Sequence, residues 1–265
     1  MKKILVIALA ALVALLALLF GVRQYAYSIL YKPSRDMVAP TEPGVSAERV
    51  RTSDGQSLIA WYAAPQAGQP VFLFFDGNGG SPEGSSGRWL QIMARGAGFL
   101  AVYYRGYSGS TGAPSEAGLI TDARAGYQWL IDRGYRAEDI VIHGYSLGSA
   151  VAVQLAAEKP ARALILEAPM TGIDDIARQY GPGLFPNIMR DTFKSREFIG
   201  RVHAPVLIVH GEEDRVIPFA MGEAMFAAAN EPKSFIAMAG TDHATLVRDG
   251  VYTHVFDFLA AHPAE

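Results

Sequence analysis

Hydrophobic positions along the chain fall into two regimes. From Ile4 to Val22 only Gly21 lies outside the apolar set, a run of 19 residues with no polar face. At about 1.5 Å per residue a helix of that length spans about 28 Å, close to a bilayer's hydrocarbon core. Beyond it the apolar stretches become short and regularly interrupted. Residues 48–52 and 57–63 alternate around the turn Ser53-Asp54-Gly55, which predicts a hairpin. Residues 71–75 and 99–104 are continuous apolar runs, read as strands buried on both faces, and 140–143, 163–166, 205–209 and 234–238 read as further strands. Residues 88–95, 116–133, 147–158, 174–180, 220–229 and 251–261 predict helices, with Ser115 as the N-cap of the second. Two antiparallel strands followed by strand–helix alternation predict an α/β fold: a mostly parallel eight-stranded sheet with helices on both faces.

Residues 1–23 read as a signal anchor. Lys2 and Lys3 precede the apolar run, which is longer than a usual signal-peptide core, and Phe20-Gly21-Val22-Arg23 is a poor cleavage site. Secretion after cleavage is the alternative, with Ala26-Tyr27-Ser28 as the best site. Residues 24–44 form a linker, extended over Pro33 to Gly44, and residues 45–265 form the globular domain. Lys2 and Lys3 favour a cytoplasmic N-terminus and an exported domain, while Arg23, Lys32 and Arg35 pull the other way. Tyr25, Tyr27 and Tyr31 are expected either at the membrane interface or packed on the domain's first turn.

Composition sharpens this picture in three places. Half the chain is hydrophobic, but outside the N-terminal run the share is about 46%, ordinary for a globular domain. Formal net charge is −3, and −6 once Lys2, Lys3 and Arg23 are set aside, which disfavours nucleic acid as a partner. The chain has no cysteine, which excludes disulfides, thiolate zinc sites, Fe–S clusters and a cysteine nucleophile. No H-E-x-x-H spacing and no GK[ST] ending appear, so neither a metal nor a nucleotide cofactor is expected.

The strongest chemical signal is Gly144-Tyr145-Ser146-Leu147-Gly148, set between a predicted strand and a predicted helix. This is the G-x-S-x-G nucleophile elbow, in which a sharp turn lifts the serine Oγ out of the sheet. A serine nucleophile needs a base, and the base an orienting carboxylate. Of the histidines that follow, His243 sits in the loop after the last strand, where function collects, while His210 ends a strand whose loop supplies the acid and reads as a supporting or structural residue. His203, His254 and His262 read as solvated or packing residues. Asp214, in Gly211-Glu212-Glu213-Asp214, is the expected orienter. Asp76-Gly77-Asn78-Gly79-Gly80 follows the strand at 71–75 and can present a backbone N–H, from Asn78, opposite that of Leu147 as an oxyanion hole.

With these pieces in order, the chain resembles the α/β-hydrolase superfamily, and within it the membrane-anchored Bem46-like branch with its ABHD-type serine hydrolases. The likeness includes Tyr104-Arg105-Gly106-Tyr107-Ser108-Gly109, Asp122, and Pro205 through Gly211 with Asp214, Pro218 and His243. It implies the α/β-hydrolase fold, a Ser146–His243–Asp214 triad, and cofactor-free hydrolysis of a small-molecule ester or thioester, with lipidic substrates favoured by the anchor. A peptidase of the same fold is the alternative within enzymes. A non-catalytic, membrane-tethered binding protein is the alternative outside them. One departure stands out: relatives carry His-Gly-Asn-x-Gly where this chain has Asp76. Asp76 is expected to point away from the oxyanion, accepting loop N–H bonds or pairing with Arg105. Residues 170–204 occupy the place of a lid and leave room for only a minimal cap. Tyr145, Leu184, Phe185, Ile188 and Met189 are candidate substrate contacts, the last four either lining an acyl groove or packing a cap helix on the body.

Overall fold

The computed structural model describes residues 2–34, 36–81, 83–180 and 190–264. β1 (Ser46–Arg51) and β2 (Ser57–Ala63) form the expected hairpin, in a register that sets Val50 opposite Leu58. β2 pairs antiparallel with β4 (Gly98–Val102). Every later pairing is parallel and links β3 (Val71–Phe75), β5 (Ile140–Tyr145), β6 (Ala163–Glu167), β7 (Val206–Gly211) and β8 (Lys233–Met238). The sheet order is β1-β2-β4-β3-β5-β6-β7-β8.

All residues of β3, β4 and β6 are buried, as continuous apolar strands require when helices cover both faces. Side chains alternate between two cores. Leu73 and Phe75 join the core beneath α3 (Glu116–Asp132), α4 (Leu147–Ala156) and α7 (Phe219–Ala228). Phe72 and Phe74 join that beneath α2 (Ser86–Met93) and α8 (Val251–Ala261). Ser115 caps α3 by accepting from Gly118 N–H at 3.1 Å. β7 starts one residue later than its apolar run, because Pro205 has no N–H for the ladder; its carbonyl accepts from Leu164 N–H instead.

From β3 the chain moves to β4 on one side, then to β5 on the other. The loops after β3 and β5 therefore diverge and leave a crevice at the carboxyl ends of these strands, the usual ligand position in such sheets. The segment 170–204 carries α5 (Ile173–Tyr180) and α6 (Ser195–Ile199).

α1 (Lys2–Leu30) is the one helix among the described residues long and apolar enough to cross a membrane, and fits an anchor or a signal sequence. It runs on past Arg23, through the first part of the expected linker, to Leu30. Its apolar body is exposed, whereas Ala26, Leu30 and the following Tyr31 are buried against the domain. The three tyrosines thus divide: Tyr25 is exposed, Tyr27 packs its ring 4.8 Å from that of Tyr31, and Tyr31 donates to Asp191 Oδ2 at 2.9 Å.

Candidate active site

β5 leaves the sheet through Ser146, whose φ of 54° and ψ of −121° are strained for an L-residue. Close backbone packing holds the strain. A Cβ at Gly144 would collide with the carbonyl of Gly148, and one at Gly148 with that of Phe75, so both elbow glycines are sterically required. Ser146 N–H donates to Glu167 O at 3.0 Å, and Ser149 Oγ donates to Ser146 O at 2.6 Å.

The loops after β7 and β8 bring the expected partners to this serine. Gly211, which has no room for a Cβ beside Thr241 O, lets the two loops converge. His243 Nε2 lies 3.0 Å from Ser146 Oγ, and its Nδ1 lies 2.7 Å from Asp214 Oδ2. Asp214 Oδ1 accepts from Val216 and Ile217 N–H, both at 2.8 Å. Burial raises the Asp214 pKa, but hydrogen bonds from His210 and His243 outweigh it and hold the carboxyl well below the usual carboxylate range. An ionised acceptor at Oδ2 keeps the proton of His243 on Nδ1, leaving the Nε2 lone pair facing the serine hydroxyl. Sequence reading took His210 for a supporting residue. It lies in the interior with Nε2 3.0 Å from Ile217 O and 3.3 Å from Asp214 Oδ2, a second imidazole on the same carboxylate.

The loop after β3 passes beside the serine, close enough that a Cβ on Gly77 would touch Ser146 Cβ at 3.4 Å. Asn78 is fixed from three sides. Its carbonyl accepts from Lys32 N–H (3.1 Å) and Tyr107 OH (2.9 Å), and its Nδ2 donates to Ile29 O (3.3 Å). Asp76 accepts from its neighbour Gly77 N–H at 2.7 Å and from Ser85 Oγ at 2.6 Å. Arg105 is not its partner. That guanidinium is held by Asp122 on α3 (2.8 Å) and by Asp54 (2.7 Å), because Arg105 follows β4 on the far side of the switch point. Burial pushes the Asp76 carboxyl above its ordinary value, and the cation that acts against this is Arg88.

Arg88 belongs to a buried charge cluster that sequence reading missed. It pairs with Glu167 Oε1 at 2.5 Å and lies over the Tyr145 ring, 4.6 Å from its centroid. Glu167 Oε1 also accepts from His143 Nε2 at 2.7 Å. Burial raises the Glu167 pKa, but Arg88 and His143 outweigh it and bring it down to about 2; burial lowers that of His143. The cluster lies under the elbow, since Glu167 is also the residue whose carbonyl holds Ser146 N–H. The available signal was an acid ending an otherwise apolar strand and an arginine beside Trp89 at the start of an apolar helix face, charges that burial tolerates only in pairs.

A cavity of about 1240 Å³ opens over these groups, lined by Ser146, His243, Asn78 and apolar side chains that include Leu147, Ile173 and Ile176. Tyr145, expected at the substrate, also lines it, and its hydroxyl donates to His243 O at 2.9 Å. Leu184, Phe185, Ile188 and Met189 lie outside the described residues. Among the described residues no group of His, Asp and Glu is arranged to hold a metal ion.

The chain is 30% identical over 280 residues to protein bem46 of Schizosaccharomyces pombe, covering 95% of this chain and 91% of that one. It is 31% identical over 211 residues to human alpha/beta hydrolase domain-containing protein 17B, covering 76% and 70% respectively. Lysophosphatidylserine lipase ABHD12 of Danio rerio is 34% identical over 198 residues, 66% of this chain and 51% of that protein. An esterase of Pyrococcus furiosus shares the fold, with a TM-score of 0.70 at 18% identity over 88% of this chain and 99% of that one. No protein-family model matches the chain. The relatives and the eight-stranded sheet agree: this chain belongs to the α/β-hydrolase superfamily, in the branch of Bem46 and the ABHD-type proteins.

Proposed function

We propose that this chain is a membrane-anchored serine hydrolase that cleaves carboxylic ester or thioester bonds of lipidic or acylated substrates through an acyl-enzyme on Ser146. The observation that carries this reading is the continuous line from Asp214 Oδ2 through His243 to Ser146 Oγ, with contacts of 2.7 and 3.0 Å. In this mechanism Ser146 Oγ attacks the carbonyl carbon while His243 Nε2 takes its proton, and Asp214 stabilises the imidazolium. The backbone N–H groups of Asn78 and Leu147, with the positive end of α4, hold the oxyanion. Collapse of the tetrahedral intermediate expels the alcohol or thiol, protonated by His243. Water activated by the same imidazole then releases the acid.

The ester or thioester class is supported by the lipase and esterase names among the relatives and by the mostly apolar cavity wall. Residues 1–23 lie in the bilayer, and the catalytic domain, residues 45–265, is exported. A fluorophosphonate probe tests the chemistry directly: it labels the wild type and fails on Ser146→Ala. A folded wild-type protein that resists the probe sinks the proposal. A series of p-nitrophenyl esters and acyl thioesters of rising chain length then sets the acyl preference.

A further inference from the structure

The docked end of α1 is more than a tether. Ala26, Ile29 and Leu30 line the same cavity as Ser146 and His243, facing it together with Ile173 and Ile176 from α5. Ala26 and Leu30 are buried, while Ile29 stays half exposed, its apolar side chain at the cavity edge. Two hydrogen bonds join this helix end to the loop beside the serine. Asn78 Nδ2 caps the Ile29 carbonyl, one of the last-turn carbonyls that a helix leaves unpaired, and Lys32 N–H holds the Asn78 carbonyl. Tyr31, tied to Asp191, fixes the exit of the helix from the other side.

The axial position of these residues matters. Ala26 and Ile29 lie about 6 and 10 Å beyond Val22, where the apolar run ends. The headgroup layer is about 5 to 8 Å thick on each side of the hydrocarbon core. With Ile4 to Val22 filling the core, the cavity wall made by α1 stands in or just past the headgroup layer. A membrane lipid carries its ester carbonyl at the inner edge of that layer, so a lipid bound at this wall is drawn outward by about 6 to 10 Å. The face of α1 running back from Ala26 into the bilayer passes Val22, Leu19 and Leu15, with the exposed Arg23 and Gln24 beside its upper end.

We infer that the C-terminal turns of α1 form one wall of the acyl-binding site, so that a single acyl chain of a membrane-embedded ester or thioester lies along Ala26 and Ile29 while its carbonyl reaches Ser146. This inference rests on the serine-hydrolase reading and on α1 spanning the bilayer. It makes the anchor a specificity element: the substrate arrives along the helix, and the same helix end positions the loop that carries Asn78.

The test uses the full-length protein in phosphatidylcholine vesicles. Because the native chain has no cysteine, Ile29→Cys carries a single environment-sensitive fluorophore at the cavity edge. Tyr25→Cys, exposed and outside the cavity lining, is the control. Each labelled protein is reacted with ethyl and with hexadecyl fluorophosphonate, and modification of Ser146 is read by mass. Both reagents are expected to modify Ser146, and only the hexadecyl reagent to shift emission at position 29, with position 25 unchanged. Modification without a chain-dependent change at 29, an equal change at 25, or exclusion of the hexadecyl reagent from both labelled proteins overturns the inference and leaves the hydrolase reading standing, whereas its exclusion from the position-29 conjugate alone supports the inference. Failure of both reagents on Ser146 removes the hydrolase reading itself. A second variant, Ala26→Trp, is expected to lower the ratio of kcat/KM for hexadecanoyl over acetyl thioester about tenfold, the equivalent of excluding two methylenes from apolar contact. A parallel fall for both substrates would mean that α1 only supports the fold.

Discussion

Replacing Asp214 by Asn removes one charge and almost no volume, yet the geometry dictates a large effect. Asp214 Oδ1 is held by two backbone N–H groups, from Val216 and Ile217. An amide in that place must put its carbonyl oxygen there, because the reverse orientation sets an NH₂ against two donors, at about 1–3 kcal/mol for each one left unpaired. The NH₂ then replaces Oδ2, 2.7 Å from His243 Nδ1. Facing a donor, Nδ1 must become the acceptor, and the proton moves to Nε2, opposite Ser146 Oγ. In that tautomer the imidazole cannot take the serine proton. The expected fall in kcat is about 10⁴-fold, about 5.5 kcal/mol of transition-state stabilisation, with the residual rate supplied by the oxyanion donors. The assay is hydrolysis of a short acyl thioester, with the rate of fluorophosphonate labelling followed in parallel and thermal melting as the control for folding. A folded Asp214→Asn protein with kcat within about tenfold of the wild type would refute both the tautomer argument and the role given to Asp214.

The same structure sets further expectations. Arg88→Met leaves Glu167 buried without its cation and should cost about 3–5 kcal/mol in urea unfolding, most of it recovered in Arg88→Met/Glu167→Gln; a loss under about 1 kcal/mol would deny the cluster a structural role. Since the folded-state pKa of Glu167 lies near 2, below its ordinary value, its contribution is fully present above about pH 4.5 and lost as pH falls toward 2; the urea midpoint should drop over that window, and less so in Glu167→Gln. Asp76 shifts the opposite way, so its charge weighs against the folded state above its raised pKa and ceases to matter once it is protonated. Asp76→Asn should therefore raise Tm by about 2–4 °C at pH 8 and leave it unchanged at pH 3, with turnover equal or higher; a tenfold fall in kcat would show that the carboxylate assists the reaction. For topology, Met37→Cys supplies one exposed thiol in a cysteine-free chain, and a membrane-impermeant maleimide should label it in intact cells; labelling only after permeabilisation would put the domain in the cytoplasm.

The course of the chain was readable wherever its signals are local. Strands such as Val71–Phe75 and helices such as Glu116–Asp132 appear in the structure at or within a residue or two of their expected bounds, since apolar runs, periodicity and caps act over one element. Leu147–Ala156 is two residues shorter than its apolar pattern. Ser146, Asp214 and His243 were also legible, because each follows a strand whose carboxyl end a parallel sheet directs to one edge. Arg105 shows the limit: its sequence position allowed a bond to Asp76, and only the strand order, with β4 on the opposite side of β3 from β5, gave it to Asp122 and Asp54.

What the sequence determined by itself is therefore the alternation of elements, the elbow with its strained serine, and the long apolar helix ahead of the domain. Each depends on forces that reach no further than a few residues: backbone sterics, side-chain periodicity and turn chemistry. Tertiary structure decided the rest: that Arg88 meets Glu167 from 79 residues away, that Asn78 caps Ile29 from 49 residues away, and that the long apolar helix ends as a cavity wall. Such pairings depend on which surfaces the sheet order brings together. A buried charge or an open helix end specifies that it needs a partner, and only the packed chain specifies which partner comes within reach.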